Sequence, residues 1–181
     1  MGGVRLLEWL IPAPAEAEAV DWESAYRELL PRVFGYFRCR GFDRPTAEDL
    51  TSATFEKAWR SRGRYRPDRS SVPTWLLAIA RNVATDQLRR HRPEQPLDGD
   101  AAFQGDTPET AALRGAQLQR LRTLLAGLPD RERELLALKY GADATNRAIA
   151  TLTGLGESNV GTILHRTVTT LRARWDEGGA Q

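Results

Sequence analysis

Apolar positions along this chain recur every three or four residues almost throughout, and no stretch alternates as a half-buried strand would. From Asp21 to Arg40, the residues Trp22, Ala25, Tyr26, Leu29, Val33, Phe34 and Phe37 keep helical spacing and predict a first helix. Pro31 and Gly35 lie inside it, where a proline removes a backbone donor and can kink the chain. Gly41 is a natural stop. A second helix is expected from Thr46 to about Arg62, with Thr46 and Asp49 resembling a capping box. A basic, proline-bounded loop, GRYRPDRSSVP, follows. A third helix is expected from about Pro73 to Arg90, with Pro73 at the first position, where its missing N–H costs nothing.

The pattern then lapses. Residues 92–110 hold three prolines, two glycines and five acidic residues with almost no apolar content, which reads as a linker. Helical spacing resumes at about Pro108 and runs to Gly127. The last third, from LPDRERELLALKYG onward, accommodates three or four shorter helices. The expected fold is all-α: two small helical domains, residues 21–92 and 113–176, joined by a flexible acidic linker, 93–112. Short tails, 1–20 and 177–181, flank them. No internal repeat is present.

Near the C-terminus, NRAIATL followed by GLGESNVGTILHR has the form of a helix-turn-helix. Thr145 caps the short first helix, Gly154 permits the turn, Leu155 plugs the corner, and Glu157 or Ser158 opens a longer helix. On that helix Val160, Leu164, Val168, Leu171 and Trp175 share one arc and form the expected core stripe. Ser158, Asn159, Thr162, Arg166 and Thr169 share the opposite arc, the surface a DNA groove would meet. Short hydroxyl and amide side chains touch phosphates and bases but add little charge, so this face alone should bind weakly. That suits a protein that reads DNA within a larger assembly.

Charge agrees. The formal net charge is only +2 over 181 residues, so any nucleic-acid role rests on local patches. Lys57 and Lys139 are the only lysines; the Arg bias suits phosphate forks and equally reflects composition. A single cysteine, Cys39, forms no internal disulfide, and neither His91 nor His165 belongs to a metal-ligand spacing. The N-terminal apolar run, Leu6 to Ile11, is short and interrupted by Glu8, so it reads as a tail and not as a signal peptide. No stretch is long enough to span a membrane; the expectation is a soluble, cytoplasmic chain.

On the third helix, Leu76, Leu77, Ile79, Ala80, Val83, Ala84 and Leu88 cover a broad apolar face. Trp75, Asn82, Thr85, Asp86 and Arg89 share the other. An aromatic, an amide and arginines beside an Arg-rich loop suit single-stranded bases, where stacking contributes about 1–3 kcal/mol per base. An ordinary solvated face with Trp75 half buried accounts for the same residues.

Four blocks taken together resemble a known family: AEDLTSATFEKAWR, WLLAIARNVATDQLRRHR, LPDRERELLALKYG and IATLTGLGESNVGTILHR. In this order and spacing the chain is similar to a bacterial extracytoplasmic-function (ECF) sigma factor, over about residues 22–92 and 115–175. The resemblance implies that the first domain is sigma domain 2, which docks on RNA polymerase core and recognises the −10 element. Asp49, Leu50, Ala53 and Glu56 would contact core. The loop from Arg62 to Ser71, with Arg64 and Arg66, would receive a flipped base. Arg81, Asn82, Asp86, Arg89 and Arg90 would lie at the −10 element, beside Trp75. The second domain would be sigma domain 4, presenting Ser158, Asn159, Thr162 and Arg166 to the −35 element. Core polymerase, promoter DNA and an anti-sigma factor are the implied partners; no cofactor or metal is implied.

The chain departs from the family pattern in two places. Ser52 and Ala53 stand where members often carry Gln and Glu, and Gly161, Thr162 and Ile163 replace a Lys-Ser-Arg-like run. These departures motivate a second reading, a two-domain helix-turn-helix regulator that is not a polymerase subunit. Neither a P-loop nor a catalytic triad is present, so an enzyme is not expected.

Overall fold

The computed structural model describes residues 20–90 and 108–177, with the side chains of 108–114 left aside. Seven α-helices account for most of the described residues, which contain no strand: α1 Trp22–Arg40, α2 Arg44–Ser61, α3 Val72–Arg90, α4 Pro108–Ala126, α5 Asp130–Leu136, α6 Asn146–Thr153 and α7 Glu157–Glu177. A short 3-10 turn, Arg62–Arg64, follows α2, and a π-helical turn, Ala137–Gly141, extends α5. The fold is the all-α pair of helical domains that the pattern predicts.

Local chemistry sets the helix ends. Asp21 caps α1 by accepting from the backbone N–H groups of Glu23 at 3.1 Å and Ser24 at 3.2 Å. Its bond from the Ser24 hydroxyl, then that from the Ser24 backbone N–H, hold the carboxyl below its usual range. Gly41 ends α1 in the left-handed region, φ 106°. Pro31 does not break α1 into two elements; one helix runs through it. The expected start of α2 shifts: Asp43, not Thr46, is the cap, accepting from Thr46 N–H at 3.0 Å. This frees Pro45 to occupy the first turn. Likewise α3 begins at Val72, placing Pro73 second in the helix.

Helices α1 to α3 close around Leu29, Val33, Phe37, Leu50, Leu76, Ala80 and Val83. Helices α4 to α7 close around Leu128, Leu135, Leu138, Ile149, Val160 and Leu164. On α7 the buried stripe is Val160, Leu164 and Thr167, while Val168, Leu171 and Trp175 are only half-buried. The expected stripe therefore turns toward Thr167. Trp175 is covered from one side by the Arg120 guanidinium of α4, 4.6 Å from its ring centre. The linker reading falls largely outside the described residues; its final part, from Pro108, already belongs to α4.

The tether pattern does not disclose that the two units pack together. Their apolar cores are continuous. Helix α1 lies against the π-helical turn, with Gly35 facing Gly141 backbone to backbone. A Cβ at Gly141 would stand 2.5 Å from the Gly35 carbonyl oxygen, and one at Gly35 would overlap the Gly141 oxygen. Glycine at Gly35, unfavourable inside a helix by about 1 kcal/mol relative to alanine, is thus explained by close approach.

Three arginines fasten the same seam. Arg32 donates from Nε to Ala142 O and from Nη2 to Asp143 O, both at 2.8 Å. These are carbonyls left over as the chain leaves the π-helical turn. Arg40, whose side chain is 3% exposed, grips Asp130 with Nη1–Oδ1 at 2.9 Å and Nη2–Oδ2 at 3.3 Å. Arg81 holds Glu134 in a fork, Nε–Oε1 2.9 Å and Nη2–Oε2 3.2 Å, and also donates to Leu152 O.

Candidate nucleic-acid interface

The α3 surface carries the first set of candidate residues. Asn82, Thr85, Asp86 and Arg89 recur at helical spacing, and Asn82, Thr85, Arg89 and Arg90 are exposed. Asp86 is half-buried and lies 3.8 Å from Lys57, tying α3 to α2. Arg81 sits one position off this strip, and that single step turns it toward the second domain. In this arrangement its guanidinium is taken by Glu134 and Leu152 and is not free to meet a nucleic acid. The reason is tertiary: Glu134 is 53 residues away in sequence.

At the other end of α3, about 27 Å away at 1.5 Å per residue, Arg62, Arg64, Arg66 and Arg69 are exposed on the loop after α2. Tyr65 anchors that loop, donating its hydroxyl to Ser70 O at 2.8 Å. It also packs on Trp75 with ring centres 5.3 Å apart, and Trp22 completes the cluster at 5.9 Å from Tyr65 and 5.7 Å from Trp75. Trp75 is therefore half-buried as a prop for the loop, and its stacking faces are shared with protein aromatics. Tyr65 and Trp22 were missed as site-supporting residues. The signal available was an aromatic inside an Arg-rich loop, but its partners lie far off in sequence.

On α2, Asp49 and Glu56 are exposed, Ala53 is half-buried and Leu50 is 7% exposed inside the core. Leu50 therefore positions this surface from beneath and does not itself present a contact. Glu56 is paired with Arg60 along the helix, 2.5 Å apart. Ser52 is exposed, its hydroxyl donating to Glu48 O.

The helix-turn-helix forms as predicted. Thr145 caps α6, its hydroxyl oxygen accepting from Ala148 N–H at 3.1 Å. Gly154 makes the turn at φ 73°. On α7 Ser158, Asn159, Thr162, Arg166 and Thr169 are all exposed. Arg166 leans on Glu132 of α5 at 3.5 Å, a long and solvated contact that is easily exchanged for a phosphate. Ile163 packs against the core, and Gly161 passes the side chain of Asn146 at ordinary contact distance, 3.5 Å from where a Cβ would sit.

Away from these surfaces, the Cys39 thiol is half-buried, and burial pushes it up from its ordinary value. No helix among the described residues is long and apolar enough to cross a membrane.

Comparison with known proteins shows the family. Residues 25–94 match the family model described as sigma-70 region 2, and residues 118–171 match sigma-70 region 4. The chain is 33% identical over 141 residues to the ECF RNA polymerase sigma factor RpoE of Cereibacter sphaeroides, covering 74% of this chain and 76% of that one. It is 28% identical to the ECF sigma factor SigM of Bacillus subtilis, covering 86% of this chain and 96% of that one. In fold it is similar to the Bartonella quintana sigma factor RpoE, solved in complex with the anti-sigma factor NepR. There the TM-score is 0.68 at 20% identity, covering 84% of this chain and 95% of that one.

Proposed function

This chain belongs to the ECF sigma factors, and from that premise we propose how its residues divide the work of promoter recognition. As a sigma factor it binds core RNA polymerase and directs promoter-specific initiation at −10 and −35 elements; a helix-turn-helix regulator outside the polymerase is not favoured. Acting as a polymerase subunit, it works by binding and positioning, and carries out no catalysis itself. It acts in the cytoplasm, where core polymerase and DNA reside.

The division of domains is residues 21–92 for core and −10 binding, 93–112 for the linker and 113–176 for −35 binding. Asp49, Ala53 and Glu56 face core, supported from below by Leu50. The loop arginines Arg64 and Arg66 line the path of an extruded base, with Trp75 and Tyr65 holding the loop in shape. Extracting a base costs unstacking energy, and a preformed receptor offsets it. Asn82, Asp86, Arg89 and Arg90 follow the −10 strand along α3. Ser158, Asn159, Thr162 and Arg166 meet the −35 major groove.

The observation that carries this reading furthest is the occupied state of Arg81. Elements named −10 and −35 are separated by about 25 base pairs, about 85 Å of B-form DNA at 3.4 Å per pair. A compact chain of this length has a radius of gyration of about 16 Å. Two domains in contact cannot reach both elements, so engagement requires that the seam of Gly35, Gly141 and the three arginines opens. Opening also releases Arg81 to join the −10 strip. The residues between α3 and α4, 91–107, span at most about 60 Å when extended, and join two weak readers through effective concentration.

A closed pair of domains is a natural substrate for a sequestering partner, and an anti-sigma factor is the proposed one. The Bartonella relative, solved with its anti-sigma factor, lends this support by its fold.

The decisive experiment is in vitro transcription with purified core polymerase on promoters mapped after overexpression. The expected result is promoter-selective initiation that depends on this chain. Core that neither co-purifies with it nor gains selectivity would overturn the reading.

A further inference from the structure

Two buried polar side chains stand at the seam between the domains with bonding capacity unused. Tyr36 follows Gly35 on α1, and its Cα would lie 3.0 Å from a Cβ at Gly141, so it sits where α1 meets the π-helical turn. Its side chain is fully buried, with the ring packed on Phe37 at 5.3 Å between centres. The hydroxyl lies among Arg40 and Arg81 of the first domain and Glu134 of the second. It has no hydrogen-bond partner among the described residues. Its neighbours are already engaged: Arg40 gives both Nη atoms to Asp130, and Arg81 and Glu134 hold each other. Arg40 Nε is the second orphan at this seam. Burial pushes the Tyr36 phenol well up from its ordinary value, so it stays a neutral O–H at neutral pH. A hydroxyl stripped of water and left without a partner destabilises the arrangement that buries it.

We propose that Tyr36 is a built-in opener of the seam: its stranded hydroxyl penalises the closed pair of domains and tilts the chain toward the separated form. This role rests on the reading that the seam opens for promoter engagement. Shape and charge hold the seam shut: Gly35 and Gly141 meet backbone to backbone, and Arg32, Arg40 and Arg81 reach across. The Tyr36 hydroxyl works against them. Separation takes the π-helical turn away from Tyr36 and Asp130 away from Arg40, so water reaches the hydroxyl and the whole guanidinium. A phenylalanine ring would fill the same space and strand nothing, so the hydroxyl adds nothing to the tightness of the closed form. Unpartnered buried polar groups are uncommon in folded proteins, and this one lies at the contact that has to part. Its removal should raise the closed-to-open ratio about ten-fold.

The test measures the distance between the domains in the full-length chain. Cys39→Ser removes the native thiol. Arg27→Cys on α1 and Arg172→Cys on α7, both at exposed positions, carry nitroxides for pulsed dipolar spectroscopy. Glu134→Gln, which loosens the seam, supplies a measurable long-distance population. Adding Tyr36→Phe to that chain is expected to lower the open-to-closed ratio about ten-fold. Binding of a single-stranded −10 oligonucleotide should weaken in step with the open fraction. An unchanged ratio in a chain that does open would overturn the role of Tyr36 and leave the opening of the seam standing. A ratio shifted toward the open form would overturn it too, because the hydroxyl would then be holding the closed pair together. A chain that shows no long-distance population even with core polymerase and promoter DNA bound would overturn the opening itself, and the role of Tyr36 with it.

Discussion

Arg81 of α3 and Glu134 of α5 form a two-pronged ion pair, 2.9 and 3.2 Å, across the junction of two domains that the sequence joins only by a tether. Both side chains are largely withdrawn from solvent, so the pair is less screened than a surface bridge. One guanidinium cannot serve this carboxylate and a promoter strand together.

Replacing the carboxylate should therefore favour DNA. Glu134→Gln is expected to weaken the seam by about 1.5–3 kcal/mol, the range for a hydrogen bond to a charged group. It should raise the affinity of the free chain for a single-stranded −10 oligonucleotide about ten-fold or more. Arg81→Ala should loosen the seam equally but gain no affinity. Fluorescence anisotropy with both variants separates the two effects; equal affinities would show that Arg81 has no part in binding.

Gly35→Ala tests the seam by shape. Alanine favours α1 by about 1 kcal/mol, yet its Cβ would overlap the Gly141 carbonyl. The expected outcome is unchanged helix content by circular dichroism with a radius of gyration above the compact value of about 16 Å in small-angle scattering. A compact Gly35→Ala chain would show that the helices slide to accommodate the methyl.

Gly161 behaves oppositely. Its neighbour Asn146 lies at ordinary contact distance, so Gly161→Ala meets no obstacle. It should stabilise the chain by up to about 1 kcal/mol, read as a raised Tm, and leave −35-dependent transcription intact.

Arg166→Ala should reduce −35-dependent transcription and flatten its salt dependence, since a phosphate-facing cation contributes about one counterion to the salt slope. Stability should hardly change, because the 3.5 Å contact with Glu132 is solvated. Transcription unaffected by this substitution would mean that α7 is turned differently on DNA.

The Cys39 thiol, raised by burial, is protonated at neutral pH, and the thiolate is the reactive form. Native chain should react with a thiol reagent much more slowly than unfolded chain. The rate should keep rising with pH beyond the point where an ordinary thiol levels off. Native and denatured rates that agree would contradict the burial.

The sequence by itself determined the helices, their caps at Gly41, Thr145 and Gly154, the helix-turn-helix and the exposed arc of α7. Each of these is local: spacing of 3.6 residues, a side chain reaching a nearby N–H, a left-handed glycine. It misplaced the start of α2, because Asp43 and Thr46 are both good caps and only the path of the chain selects between them. The exposed candidates Asn82, Arg89 and Arg90 were legible for the same local reason. Tertiary structure alone decided that Leu50 lies inside, that Trp75 is shared with Trp22 and Tyr65, and that Arg81 is held by Glu134. These depend on residues up to about a hundred positions apart, as does the meeting of Gly35 with Gly141. A hydrophobic period shows that a face is buried; it does not show against what, because burial is non-directional and the partner is chosen by shape.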